Sequence, residues 1–197
     1  MFNWLTADGY FAAPDGNLDW VVPDDEQVKT AAAGIAGIDT VLFGRRTYER
    51  FEAFWRHALD DSGAVPDPHR PGVRSREHRT IAVALNELTK LVFSRTLTEV
   101  TWHNARLVRD LDPRQIDAMK RQPGKDMMIF GSGSIVSQLT DAGLIDEYQL
   151  AVCPVFIGRG RSLLDGISKP VRLELAESRR LPSGDVVLRY VRPGEAR

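Results

Sequence analysis

The chain has 197 residues, 43% apolar and 27% charged, which is the make-up of a folded domain and not of a disordered segment. Its 26 basic and 27 acidic residues leave a net charge of -1, so no whole-chain attraction draws it to nucleic acid or to an anionic membrane surface. A single cysteine, Cys153, excludes an internal disulfide, a four-cysteine zinc site and a Cys-x-x-Cys redox pair.

Residues 2–6 read as a short first strand, followed by turns at Asp8-Gly9 and Asp15-Gly16-Asn17. Pro23-Asp24 opens a predicted helix to about Ala36. Val28, Ala31, Ala32 and Ile35 share one face, and Asp24, Asp25 and Glu26 fill the first turn, where the helix dipole favours anions. Residues 39–44 read as a buried strand ending at Gly44, and residues 45–58 as a helix with Tyr48, Phe51, Trp55 and Ala58 inward. Residues 60–79 hold Pro66, Pro68 and Pro71 among basic and histidine side chains, and are expected to form an irregular, mobile insertion. A strand follows at 90–94. Asp112 and Pro113 are the cap and first residue of a helix to about Arg121. Residues 126–130 form a buried strand that leads through Gly131-Ser132-Gly133-Ser134 into a helix ending at Gly143, with Ile135, Val136 and Leu139 inward. A long strand at 147–157 precedes a hairpin of 171–180 and 185–192 around Pro182-Ser183-Gly184.

Strands alternating with helices predict an α/β fold: three layers, a central mixed and mostly parallel sheet with helices on both faces, closed by an antiparallel hairpin. The length fits one domain, residues 1–197. The N-terminus has no basic start before a long apolar run, and no apolar run reaches the ~18 residues a bilayer requires. The expected location is the cytoplasm.

Two strand-to-helix turns carry the candidate chemistry. Gly44-Arg45-Arg46-Thr47 ends a strand and starts a helix, whose first N–H groups are donors to an anion. Two arginines there oppose the helix dipole, a misfit that a bound anion removes. Gly131-Ser132-Gly133-Ser134 is the second turn, with glycines that admit a phosphate close to the backbone. It is neither a dinucleotide fingerprint, since Val136 stands where the third glycine is required, nor a Walker loop. Both turns are expected at the carboxyl edge of one sheet, where ligands of open α/β sheets bind. Ser94-Arg95, after the next strand, is placed to hold one more phosphate. Asp19, beside Trp20, is the candidate carboxylate for orienting or protonating a substrate, with partial burial raising its pKa. The four histidines lack zinc-ligand spacing and none follows His103, which argues against a zinc hydrolase and an α/β-hydrolase; no metal is expected.

The ordered set of Asp8-Gly9, the segment from Asp15 to Trp20, Leu42-Phe-Gly-Arg-Arg-Thr-Tyr-Glu49, Val92-Phe-Ser-Arg-Thr-Leu97, Ile129-Phe-Gly-Ser-Gly-Ser134 and Leu144-Ile-Asp-Glu-Tyr148 through Gly158 resembles the dihydrofolate reductase superfamily. Within it, the set is most similar to the reductase domain of the riboflavin-biosynthesis deaminase-reductase. The resemblance runs along nearly the whole chain. It implies an NADPH-dependent reductase. Gly44, Arg45, Arg46 and Thr47 would meet the cofactor phosphates, Ser94 and Arg95 the adenosine 2′-phosphate, and Gly131, Ser132, Gly133 and Ser134 the pyrophosphate. Two departures stand out. The single acid that dihydrofolate reductases carry on their first helix has no counterpart from Gln27 to Ile38, and the cysteines of the deaminase half are absent. The leading expectation is hydride transfer from NADPH to a C=N or C=O carbon of a pterin-, pyrimidine- or ribosyl-like small molecule. The alternatives are a binding protein of this fold without turnover, a true dihydrofolate reductase and, last, a phosphate-ester or nucleotide transferase. No nucleic-acid or membrane partner is expected. A homodimer paired through the closing strands and the apolar segment 147–157 is.

Overall fold

Capping side chains and glycines set most element boundaries. Asp24 accepts from the amides of Glu26 and Gln27, Ser75 from His78, and Asp112 from Arg114, each at the start of a helix. The computed structural model describes residues 1–60, 65–67 and 70–194. In chain order the elements are β1 (Phe2–Thr6), β2 (Tyr10–Ala12), α1 (Asp25–Gly34) with a 3-10 turn (Ile35–Gly37), β3 (Ile38–Gly44), α2 (Arg45–Trp55), β4 (Val65–Asp67), β5 (Arg70–Ser75), α3 (Arg76–Glu87), β6 (Thr89–Phe93), β7 (Ala105–Val108), α4 (Pro113–Lys120), β8 (Asp126–Ile129), α5 (Gly133–Asp141), β9 (Glu147–Cys153), β10 (Arg161–Ser162), β11 (Glu174–Arg180) and β12 (Val186–Val191).

The backbone divides into two compact units. The first comprises residues 1–22, 112–122 and 129–197. Its sheet runs β1-β9-β12-β11, with β1 parallel to β9 and the last three strands antiparallel. A second pair joins β2 to β10. Ile135, Val136 and Leu139 of α5 are buried, as their spacing predicts, together with Tyr148, Ala151 and Cys153 of β9. The Tyr148 hydroxyl donates to Thr140 on α5 at 3.1 Å, tying helix to strand.

The second unit comprises residues 23–111 and 123–128. Its sheet runs β7-β6-β3-β8, with β3, β6 and β7 parallel. Val41, Leu42 and Phe43 are fully buried, which is the continuous apolar run that a covered parallel strand requires. The fold is the α/β class expected, with a parallel sheet, helices and a closing antiparallel hairpin.

Several local expectations are corrected. The irregular stretch at 60–79 contains a hairpin, β4 with β5, and the first turn of α3; residues 61–64 and 68–69 lie outside the described residues. Pro66 and Pro71 are tolerated because a two-stranded ribbon leaves each strand one edge without ladder bonds. The strand predicted over 147–157 ends at Cys153, since Pro154 has no N–H to donate. Ala31 of α1 is exposed, and that helix buries none of its residues. The strand at 126–130 is buried only at Ile129.

Candidate cofactor site

In the second unit three strands leave their sheet side by side. Gly44, the last residue of β3, pairs with Phe93, the last of β6, and Phe93 pairs with Val108, the last of β7. Because the strands are parallel, the segments after Gly44, Phe93 and Val108 lie at one carboxyl edge. This brings Gly44, Arg45, Arg46 and Thr47 together with Ser94 and Arg95, as the sequence predicts.

Helix α2 starts directly at that edge. Its N-cap Gly44 is extended, with φ -79° and ψ 160°, and, being glycine, brings no capping side chain of its own. Arg45 and Arg46 are exposed in this turn. The Glu49 carboxylate lies 3.9 Å from Arg45 across one helical turn, with both side chains exposed, so it contributes little against the unfavourable dipole. Arg46 makes no ion pair among the described residues. The edge therefore gathers positive charge where a helix start already favours an anion.

Ser94 is buried, and its Oγ accepts from the amides of Thr96 at 3.2 Å and Leu97 at 3.0 Å. The hydroxyl lone pairs thus shape the turn after β6. Arg109, just past β7, fastens the same turn by donating to the carbonyls of Ser94 and Leu97. Arg95 projects from this fastened turn. Its Nε donates to Asp110 Oδ1 at 2.7 Å, and its Nη2 lies 2.5 Å from the same oxygen. Sequence reasoning missed Arg109 and Asp110. The signal was the four-residue strand at 105–108, too short to stand out, whose parallel exit places them at the edge.

In the first unit Gly131 and Ser132 both take left-handed backbone, with φ 56° at each. For serine this costs about 1–3 kcal/mol and persists only where the surroundings enforce it. They do: the Gly131 amide donates to Phe2 O, and the Asn3 side chain donates to Gly131 O. Ser132 is the N-cap of α5, yet its hydroxyl donates back to Phe130 O at 3.1 Å and does not cap the helix. Ser134 is exposed. A Cβ on Gly133 would lie 2.7 Å from Cζ of Phe11, so any larger residue must push that ring aside. Gly133→Ala is expected to cost about 1–3 kcal/mol, read as a lowered urea midpoint with an unchanged slope.

Asp19 is exposed, so the partial burial expected of it beside Trp20 is not found. The neighbouring Trp20 Nε1 is buried with no hydrogen-bond partner, leaving an indole donor available. Asp8, read from sequence as a turn residue, reaches across its unit. A hydrogen bond from Thr6 and the amides of Gly158 and Ile157, at 2.7 and 3.1 Å, hold its carboxyl below the usual carboxylate range. Among the described residues no group of three or more His, Cys, Asp or Glu side chains is arranged to hold a metal ion.

The family model of the RibD C-terminal domain matches residues 1–187. The chain belongs to this family. It is 26% identical over 186 residues to the uncharacterized protein YyaP of Bacillus subtilis (strain 168), covering 94% of this chain and 90% of that one. Among solved structures it is similar to a protein from Shewanella sp. PV-4 named for riboflavin biosynthesis, with a TM-score of 0.70 at 21% identity, covering 97% of this chain and 96% of that one. It is also similar to dihydrofolate reductase from Enterococcus faecalis complexed with NADP(H), with a TM-score of 0.58 at 14% identity, covering 98% and 94%. The fold is thus that of the RibD-like and dihydrofolate-reductase-like reductases.

Proposed function

We propose that the protein is a reductase that binds NADPH and delivers hydride to a C=N or C=O carbon of a pterin-, pyrimidine- or ribosyl-like small molecule. The observation that carries this reading is the carboxyl edge of the second unit. There the start of α2, with Arg45 and Arg46 exposed, and the fastened turn bearing Arg95 leave the sheet side by side, an arrangement that supports binding of an anion. The residues fit a dinucleotide: Gly44, Arg45, Arg46 and Thr47 would hold phosphate through amides and guanidinium groups, and Ser94 and Arg95 would meet the adenosine ribose. Gly131, Ser132, Gly133 and Ser134 supply a second helix start without a side-chain cap, built at a cost in backbone strain. NADPH, when bound, supplies the hydride. The protein's residues orient the reactants and exclude water. The exposed Asp19 carboxylate offers an acceptor to a polar heterocycle.

Ordinary folate reduction fits poorly. Asp24 is taken up in capping α1 through the amides of Glu26 and Gln27, and Asp25 and Glu26 are exposed at the helix start. The same observation favours a second reading, nucleotide binding without turnover. No helix among the described residues is long and apolar enough to cross a membrane. We read the protein as a homodimer, because β11 is an exposed edge strand carrying Leu175 and lies in the sheet that includes β9.

Titration with NADPH, followed by tryptophan quenching, is expected to saturate, and Arg46→Ala is expected to weaken binding about tenfold, or 1.4 kcal/mol. Oxidation of NADPH across a panel of cyclic imines and carbonyl compounds separates the reductase from the silent binder. Absence of any saturable quenching overturns both readings. Sedimentation of the same sample is expected to give two copies per particle.

A further inference from the structure

We infer that Asp110 is a specificity-determining residue for the adenosine 2′ position, weakening the hold on a 2′-phosphate and so admitting NADH beside NADPH. The inference rests on the proposed cofactor reading and deepens it. On that reading Arg95 is the cation of its turn that would meet the 2′ position, and Asp110 pairs with it. Both its Nε and its Nη2 engage one carboxylate oxygen, at 2.7 and 2.5 Å. The two side chains are 82% and 66% exposed, so the pair faces the solvent from which a nucleotide arrives.

The backbone that carries the two side chains is held on both strand exits. Ser94 and Arg109 fasten the turn that carries Arg95, and Ser94 N donates to Val108 O, two residues before Asp110. A dianionic phosphate bound to Arg95 would lie within a few ångströms of the Asp110 carboxylate, well inside the ~8 Å screening length of physiological salt. The carboxylate therefore cancels much of the guanidinium's attraction for the phosphate. A ribose 2′-hydroxyl meets the opposite situation. Asp110 Oδ2 accepts no hydrogen bond from Arg95, and a carboxylate oxygen is the acceptor that dinucleotide sites offer to that hydroxyl. The remaining cations at this edge do not substitute: the Arg109 Nη1 group is directed to two carbonyls, and Arg45 and Arg46 belong to the start of α2.

The test is Asp110→Asn, which keeps size and exposure while removing the charge. Dissociation constants for NADPH, NADH, adenosine 2′,5′-bisphosphate and AMP are measured on the wild type and the variant at 0.05 and 0.5 M salt. The expected result is about fivefold tighter NADPH and bisphosphate at low salt, with NADH and AMP unchanged or weaker, and a gain that shrinks at high salt. A second variant, Arg95→Gln, is expected to weaken NADPH and leave NADH unchanged, and thermal melting verifies that both variants fold. Wild-type binding of NADPH with no selective gain in Asp110→Asn overturns the inference and leaves the cofactor reading standing. Failure of the wild type to bind either dinucleotide overturns both.

Discussion

Lys90→Met is expected to destabilise the protein by about 2 kcal/mol at pH 7, and the gap between wild type and variant is expected to widen as the pH rises. Lys90 is fully buried. Its Nζ donates to the carbonyls of Asn86, Leu88 and His103 at 3.1, 2.8 and 2.9 Å and lies 4.6 Å from the Trp102 ring centroid. Two large terms compete. Burial lowers the Lys90 pKa from 10.5 to about 8, with Glu87 pulling weakly the other way. That corresponds to about 3 kcal/mol held against the charged form, and methionine removes this cost. Methionine also strips three carbonyls of their donor at roughly 1–3 kcal/mol each, which is the larger sum. The same carbonyls close the end of α3 and the turn before β7, so the loss falls on the segment leading into β7 and Asp110. The sign of the pH dependence follows from proton counts. Between pH 8 and 10.5 the unfolded chain keeps a proton on Lys90 that the folded chain gives up, so wild-type stability gains with rising pH. Urea denaturation of both proteins at pH 7 and pH 9.5 is expected to show the gap growing by about 2 kcal/mol. A gap that stays constant would mean that the three carbonyls keep the ammonium protonated throughout.

Features encoded by neighbouring residues were legible in the sequence. Asp112 before Pro113 gives a helix start whose cap closes within two residues, and α4 begins there. Gly44 after an apolar run gives the exit of β3, and the hairpin around Ser183-Gly184 forms as its turn residues demand. The features that failed depend on distant partners. Helix α3 has clear apolar spacing at Ala82 and Leu85, but its cap, Ser75, sits inside a proline-rich stretch and becomes a cap only once β5 holds it extended. Asp8 reads locally as a turn, and its acceptor role appears only when the segment after β9 delivers two amides to it. The candidate site divides in the same way. The strand-to-helix exits that carry the candidate positions were legible, because strand, glycine and helix are local signals. Asp110 was not, because its meaning comes from Arg95, fifteen residues earlier and on the neighbouring strand's exit. Composition likewise cannot tell that the Ser94 lone pairs are taken up by two amides of its own turn.

Cys153 is expected to resist alkylation in the folded protein by at least a thousandfold at pH 8 and to react at an ordinary thiol rate once the chain is unfolded. It is the last residue of β9, 2% exposed, between β1 and β12. Burial, reinforced by the neighbouring Asp185 carboxyl, pushes its thiol up from 9.0 to about 12. The thiolate is the reacting species, so three decades of pKa remove about three decades of rate at a pH below both values. Steric closure by the flanking strands adds to this. Labelling with iodoacetamide must therefore wait for opening of the β1-β9-β12 core, and its rate reports that opening. Proton linkage acts in the direction opposite to that of Lys90. The folded chain keeps the thiol proton to higher pH than the unfolded chain, so this contribution to stability is complete below pH 9 and is lost as the pH climbs toward 12. Wild type and Cys153→Ala compared by urea denaturation are expected to converge above pH 9, while Lys90 and its variant diverge. Rapid native-state labelling at pH 8 would show that β9 opens without global unfolding, which the pairing of β9 with β12 from Glu147 to Val152 and with β1 up to Cys153 argues against.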